Sequence, residues 1–332
     1  MRLLVTGGCG FIGSNFIRFV LEEHPQDEVL NLDKLTYAGN PENLKDVEGN
    51  PRYSFQQGDI CDGDAVAEAF AWKPDVAVNF AAETHVDRSI TSPEDFVKTD
   101  VLGTYRLLEQ ARETGIRFMQ ISTDEVYGSI SEGSFSEESP LQPNSPYAAS
   151  KAGADLLVRS YVRTYGIDAV IARSSNNYGP YQYPEKVIPL FVTNLLEGRK
   201  VPLYGEGKNV RDWLYVRDNC RALDLVLRSG TSGEAYNVGA GQEKTNLELT
   251  HAILEIMGKG EENIRYVTDR PGHDLRYSVD TAKLRGLGWR PQQDFESGLR
   301  ETVKWYGDNA AWWEPIKSGE FRRYYASRYG DI

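Results

Sequence analysis

Three cysteines among 332 residues are too few and too scattered for a disulfide framework, and Cys9, Cys61 and Cys220 form no Cys-x-x-Cys pair. This argues against a stapled secreted fold and against a cysteine zinc site, and a reducing cytoplasm is the expected compartment. Four histidines show no ligand spacing, so no metal is expected. Positive charge is also short: 37 Lys and Arg against 49 Asp and Glu leave a net charge of −12. Nucleic acid and anionic membrane are therefore poor partners, although a small basic pocket for a phosphorylated ligand stays open. No apolar run approaches the roughly 18–20 residues of a membrane span. The apolar stretch Leu3–Thr6 is too short for a signal h-region and reads as a strand entering a turn. What is present is 40% hydrophobic and 26% charged, ordinary for a folded globular chain and long enough for roughly two domains of about 150 residues.

Apolar strand runs alternate with amphipathic helical runs over the first half. Strands are expected at Leu3–Thr6, Val29–Leu32, Tyr53–Gln57, Asp75–Phe80, Phe118–Ser122 and Ala169–Ala172. Helices are expected at Phe11–Glu22, Asp62–Phe70, Pro93–Thr114 and Pro146–Tyr165. That alternation predicts an α/β fold: a Rossmann-type, doubly wound parallel sheet. Continuous rather than alternating apolar strands suit burial on both faces. After Asn176 glycine, proline and tyrosine thicken, and a smaller mixed α/β substrate domain is expected. Residues 1–178 form the dinucleotide-binding domain, a stretch near 213–240 returns to it, and 179–332 supply most of the substrate domain. Further helices are expected at Val216–Arg228 and Asn246–Met257. The C-terminal Trp289, Trp305, Trp312 and Trp313 read as core and docking surface.

Gly7, Gly10 and Gly13 are spaced three apart between a strand and a helix. That arrangement makes a tight turn, lets the backbone approach a pyrophosphate, and offers the phosphates a helix N-terminus. Asp33 ends the next strand, 20 residues after Gly13. A carboxylate there accepts ribose hydroxyls and repels a 2′-phosphate, favouring NAD over NADP; the adjacent Lys34 weakens that preference. Asp59 and Ile60, after the third strand, suit the adenine edge or a plain strand-end cap.

Ser122-Thr123-Asp124-Glu125 lies at the C-terminal end of the fifth strand, the edge where ligands sit in such sheets. Tyr147 and Lys151, at i and i+4, share a helix face. The ammonium is expected to lower the phenol's pKa, so that the pair exchanges a proton with a substrate hydroxyl during hydride transfer. A simple alcohol dehydrogenase needs no further acid–base pair. Two adjacent carboxyls beside Thr123 point to chemistry at another carbon, one carboxyl donating a proton and one accepting.

Together these motifs resemble the extended short-chain dehydrogenase/reductase family and, within it, the dTDP-glucose 4,6-dehydratases. The resemblance covers nearly the whole chain. It rests on Thr6–Gly13, Asp33–Asn40, Ala81–Ser89, Thr123–Glu125, Tyr147–Lys151, Arg173–Pro180, Arg211–Trp213 and Asp269–Asp274. Cys9 stands where alanine is usual and Thr84 where serine is usual. The resemblance implies that Tyr147, helped by Lys151 and Thr123, takes the C4 hydroxyl proton of dTDP-glucose while hydride reduces NAD. Glu125 then removes the C5 proton, Asp124 protonates the departing C6 hydroxyl, and hydride returns to C6. It places the cofactor on Gly7, Gly10, Phe11, Ile12, Gly13, Asp33, Lys34, Leu35, Thr36, Asp59, Ile60, Phe80, Ala81, Ala82, Glu83, Thr84, Thr99, Tyr147, Lys151 and Asn177. It places the nucleotide sugar on Thr84, Thr123, Asn176, Lys186, Val187, Pro202, Leu203, Tyr204, Arg211, Asn246, Asp269, Arg270, Pro271, Gly272 and His273. Arg211 and Lys186 are expected to neutralise the diphosphate. The helices Pro93–Thr114 and Pro146–Tyr165 are expected to pair across a homodimer.

Other members of the family remain as rivals: a sugar-nucleotide 4-epimerase, a UDP-glucuronate decarboxylase and a GDP-mannose dehydratase. Epimerases lack the Asp-Glu pair, decarboxylases carry a small hydroxyl residue in place of Asp124, and the GDP-mannose enzymes depart there too and commonly use NADP. A non-catalytic NAD-binding regulator is disfavoured by the intact set Thr123, Asp124, Glu125, Tyr147 and Lys151.

Overall fold

The computed structural model describes residues 1–269, 272–319, 321, 323 and 325. Its strands, in chain order, are β1 (Arg2–Thr6), β2 (Glu28–Asp33), β3 (Tyr53–Gln57), β4 (Val76–Asn79), β5 (Arg117–Thr123), β6 (Ala169–Ser174), β7 (Asn176–Tyr178), β8 (Val201–Tyr204), β9 (Val210–Tyr215), β10 (Ala235–Val238), β11 (Glu243–Thr245) and β12 (Ile264–Val267). Seven of them form one sheet in the order β10-β6-β5-β4-β1-β2-β3, with every adjacent pair parallel. Parallel neighbours need crossovers, and helices supply them on both faces.

The strands show why both faces are covered. In β1, Leu3 and Val5 pack into a core with Phe16, Ile17 and Val20 of the helix Phe11–Glu23 and Leu223 of the helix Val216–Ser229. Leu4, pointing the other way, joins Phe70, Leu107 and Leu108. Val78 and Ala77 in β4 divide the same way. A period of two therefore feeds two apolar layers from one continuous apolar run. The helix Val216–Ser229 and β10 complete this sheet from beyond residue 210.

The strand order reverses between β1 and β4, so the crevice beyond their carboxyl ends is the topological switch point. A second core gathers Tyr178, Phe191, Trp213, Leu249, Phe295, Tyr306 and Trp313 around the sheets β11-β9-β7 and β12-β8. Of the C-terminal tryptophans, Trp289 belongs instead to the first core.

The helix Pro146–Tyr165 has matching signals at both ends. Ser145 Oγ accepts from the Ala148 amide at 3.1 Å, Pro146 occupies the first turn, and Gly166 closes the helix at φ 68°. It is pinned to β6 by Arg173, whose Nε donates to Asp155 Oδ2 at 2.8 Å; both side chains are buried. Such a pair is costly to break singly, because the orphaned charge stays in the interior.

One expected element is different. The long helix expected over Pro93–Thr114 is a short helix Pro93–Phe96, a π-helical segment Val97–Gly103 and a helix Thr104–Thr114. The wider turn brings Asp100 inward: it is 1% exposed, with Oδ2 accepting from Ser150 Oγ at 2.5 Å. π segments of this kind concentrate at functional sites.

Candidate active site

A single cleft at the switch point runs from the glycine turn to the end of β5. Gly7, at φ 69°, turns the chain so tightly that a Cβ would lie 2.6 Å from the Ala81 nitrogen. A Cβ at Gly13 would meet the Gly7 oxygen at 2.5 Å. Gly10 begins the helix Phe11–Glu23 and has no side chain to cap it. The first-turn amides thus face the cleft at a positive helix end, which fits a dinucleotide pyrophosphate.

Asp33 sits in this cleft but is more committed than the sequence suggests. Its Oδ2 accepts from the Cys9 amide and its Oδ1 from the Leu35 amide, both at 2.8 Å. Burial pushes its carboxyl up, against those two bonds. Each oxygen keeps a second lone pair for a ribose hydroxyl. Leu35 takes the left-handed conformation, φ 59°, to make its bond, and does not itself line the cleft. Lys34 is tied to Asp59 at 2.7 Å, so the cation expected to soften the NAD preference already has a counter-ion. The remaining residues assigned to a cofactor, including Thr36, Ile60, Phe80–Thr84, Thr99 and Asn177, all line the cleft.

Thr123, Asp124, Glu125, Tyr147 and Lys151 converge at its far end. Thr123 Oγ1 donates to Asp124 Oδ1 and accepts from the Glu125 amide, both at 3.3 Å, and it also hydrogen-bonds the Tyr147 phenol. Asp124 is 3% exposed, and its Oδ2 has no hydrogen-bond partner among the described residues. Burial, then the nearby Glu125 and Asp212 carboxylates, hold the Asp124 carboxyl far above the usual range; Arg211 opposes this. A carboxyl in that setting keeps its proton and can donate it.

Tyr147 departs from expectation. Desolvation by the surrounding protein, then Glu125 and Asp100, push its phenol well up rather than down. Lys151, which is buried, spends a hydrogen bond on the Ile121 carbonyl at 2.7 Å. The i, i+4 spacing places the ammonium on the right helix face, yet burial of the ring, and then the carboxylates around it, push the other way.

The expected sugar-nucleotide residues divide into two groups. Thr84, Asn176 and Lys186 line the cleft, with Lys186 Nζ donating to the Thr84 carbonyl at 2.6 Å. Val187 opens the helix Val187–Leu196, Pro202, Leu203 and Tyr204 lie in β8, and Asn246 opens the helix Asn246–Ile256. These, with Arg211, Asp269, Gly272 and His273, lie off the cleft lining. Tyr204 reaches across, its hydroxyl donating to Asp87 Oδ2 at 3.2 Å, and its ring meets that of His273, which bonds Asp269 at 2.6 Å. Arg211 is buried in β9, donating to the Asp274 carbonyl at 3.0 Å and lying 4.2 Å over the Tyr277 ring. Arg270 and Pro271 lie outside the described residues.

Sequence reasoning missed Tyr277. Its hydroxyl donates to Asp274 Oδ2 at 2.6 Å and lies 3.4 Å from Glu125 Oε2, a contact spanning 152 positions that no local pattern signals. Gln182 and Glu185, also on the cleft wall, lie in the tyrosine- and proline-rich stretch read only as a change of texture.

Residues 4–302 match the family model described as GDP-mannose 4,6 dehydratase. A dTDP-glucose 4,6-dehydratase of Streptomyces niveus is 56% identical over 324 residues, covering 96% of each chain. The chain belongs to the dTDP-glucose 4,6-dehydratase family. Another member, dTDP-glucose 4,6-dehydratase 1 of Escherichia coli, is 48% identical and covers 99% of each chain. The structure of the Streptomyces venezuelae dehydratase DesIV, solved with NAD bound, superposes with a TM-score of 0.93 at 55% identity, over 96% of this chain and 100% of that one. A UDP-glucose 4-epimerase of Thermus thermophilus, in complex with NAD, is more distant: 35% identical, TM-score 0.86, over 93% of this chain and 100% of that one. The broad model and the family members agree on 4,6-dehydration and differ in the nucleotide.

Proposed function

We propose that the protein is an NAD-dependent dTDP-glucose 4,6-dehydratase that releases dTDP-4-keto-6-deoxyglucose and water. The observation that carries this reading is the buried carboxyl of Asp124 beside Glu125, on the same cleft wall as Tyr147 and Lys151. An epimerase has no use for a second acid–base pair.

The glycine turn, Asp33 and the Phe80–Thr84 strand end hold the dinucleotide, whose nicotinamide supplies the redox chemistry by accepting hydride from C4 and giving it back at C6. The protein's own part is proton movement. Tyr147 takes the proton of the C4 hydroxyl, with Thr123 fixing the phenol and Lys151 supplying positive charge. Once C4 is a ketone, the C5 hydrogen is acidic. Glu125 removes it, and Asp124 delivers a proton to the departing C6 hydroxyl, so that water leaves neutral; when hydride comes back to C6, Glu125 returns its proton to C5, and the proton that Tyr147 took at C4 exchanges with solvent, which recharges Asp124. Arg211 and Lys186 are assigned to the diphosphate end, and the second lobe to the nucleotide.

The test is a product assay by chromatography against epimer standards and mass spectrometry, with dTDP-glucose, UDP-glucose and GDP-mannose. We expect dTDP-glucose to give a sugar nucleotide lighter by one water. Recovery of dTDP-galactose, or turnover of the UDP or GDP sugar alone, overturns the reading.

We also propose a cytoplasmic homodimer. The free cysteines Cys9, Cys61 and Cys220 suit a reducing compartment. Among the described residues no helix is long and apolar enough to cross a membrane. Val97, Leu102 and Leu156 are exposed on the packed segments Val97–Gly103 and Pro146–Tyr165, an apolar face that a second copy covers. Sedimentation equilibrium is expected to return twice the chain mass; a monomer at working concentration overturns the dimer.

A further inference from the structure

Asp100 is a buried carboxyl for which the reaction above has no use. It sits in the middle of the π-helical segment Val97–Gly103, with Oδ2 bonded to Ser150 Oγ. Ser150 lies in the helix Pro146–Tyr165, one residue before Lys151, and its Oγ also lies 2.8 Å from the Tyr147 carbonyl. The Lys151 ammonium attracts the Asp100 carboxylate, and that carboxylate in turn opposes ionisation of the Tyr147 phenol.

The groups around it define its electrostatics. From the helix Pro146–Tyr165 it faces Ser150, Lys151 and Tyr147. From the strand end after β4 it faces Glu83, whose amide favours the Asp100 carboxylate and whose carboxyl is pushed up to about 7 by burial, then by Asp100 and Asp95. From the loop after β3 it faces the Cys61 thiol. Lys151 is the cation among these neighbours, and it favours the Asp100 carboxylate.

We propose that Asp100 is a positioning residue for the C4 proton transfer: its carboxylate adds negative charge beside Tyr147 and Lys151 and, through Ser150, anchors the helix turn that carries both. The inference rests on the proposed role of Tyr147 as base. Burial raises the Asp100 carboxyl to about 6. Its proton is thus bound more readily in the folded than in the unfolded chain. The stability it contributes is complete at the acid end and is lost as pH rises through about 6.

The test compares wild type with Asp100→Asn, which keeps the side-chain shape and an acceptor for Ser150. The first readout is the pH dependence of single-turnover C4 oxidation of dTDP-glucose by the NAD-loaded enzyme. Without the carboxylate's charge, the ascending limb is expected about one pH unit lower, the size of effect expected for one unit charge in a shared buried pocket. A purely structural role predicts a slower rate with the limb in place, and an unmoved limb overturns the proposal. The second readout is the thermal midpoint as a function of pH. The fall that wild type shows through about pH 6 is expected to be smaller in Asp100→Asn, with Glu83, pushed up to about 7, supplying the remainder; an identical fall in both proteins also overturns the proposal. If Asp100→Asn does not fold, Ser150→Ala decides. It removes the hydrogen bond that favours the carboxylate and is expected to move the limb the same way, and an unmoved limb again overturns the proposal. Wild type that forms no reduced nicotinamide refutes the dehydratase reading instead, and the thermal readout still reports on Asp100.

Discussion

Asp124→Asn is expected to yield an enzyme that oxidises its sugar and then stalls. The amide is nearly isosteric with the protonated carboxyl that this position favours, and it keeps an oxygen for Thr123 Oγ1, now 3.3 Å from Asp124 Oδ1. C4 oxidation, which depends on Tyr147, Thr123 and Lys151, is therefore expected near the wild-type rate. Departure of the C6 hydroxyl loses its proton donor, and general acid catalysis of this kind contributes about 10²–10⁴-fold. Bound reduced nicotinamide should then build up to nearly one per active site in a single turnover, visible by its absorbance, while release of 4-keto-6-deoxy product falls by about that factor. The pH dependence carries the same sign. Because burial and Glu125 hold the Asp124 carboxyl well up, wild-type dehydration should persist into a range where an ordinary aspartate is fully ionised, and fall only as pH climbs through the raised value. Dehydration undiminished in Asp124→Asn would take the acid role away from this residue.

The parts of this site that were legible in the sequence are those set by local spacing. Gly7 and Gly13 must be glycines because atoms sit 2.5–2.6 Å from where a Cβ would go, Gly10 is tight at 3.2 Å, and a three-residue spacing records that directly. Tyr147 and Lys151 are one helical turn apart, and Ser145 with Pro146 marks where the turn begins. The parallel sheet was legible because strands buried on both faces must be continuously apolar. What was not legible came from long-range contacts. The π segment is not visible in Val97–Gly103 alone, and the partner that holds its buried Asp100, Ser150, lies 50 positions away on another helix. Tyr147 was misjudged for a related reason: an i, i+4 pair is visible in the chain, whereas burial of the ring and the carboxylates brought from Glu125 and Asp100 are not. Asp33 marked the cofactor site, but its bonds to the Cys9 and Leu35 amides depend on a left-handed Leu35 that nothing in that residue type announces.

Tyr147→Phe is expected to stop the reaction one step earlier than Asp124→Asn. The variant keeps the ring, which meets Phe96 edge-on with centroids 6.2 Å apart, and it loses only the hydroxyl that bonds Thr123. The fold should survive, with a thermal midpoint within a few degrees of wild type, since one exchanged hydrogen bond is worth only about 0.5–1.5 kcal/mol. The chemistry should not survive. Without a base on the C4 hydroxyl, oxidation is expected to slow by about 10²–10⁴-fold. Asp124 and Glu125, both intact, then have no 4-ketone to act on, because the C5 hydrogen is not acidic until C4 is oxidised. The two variants therefore separate the two proton-transfer systems. Asp124→Asn should accumulate reduced nicotinamide and little product, Tyr147→Phe should accumulate neither, and the double variant should match Tyr147→Phe alone, since the earlier block hides the later one. Reduced nicotinamide forming at the wild-type rate in Tyr147→Phe would move the base to another group, with Glu125 the next candidate on the same cleft wall.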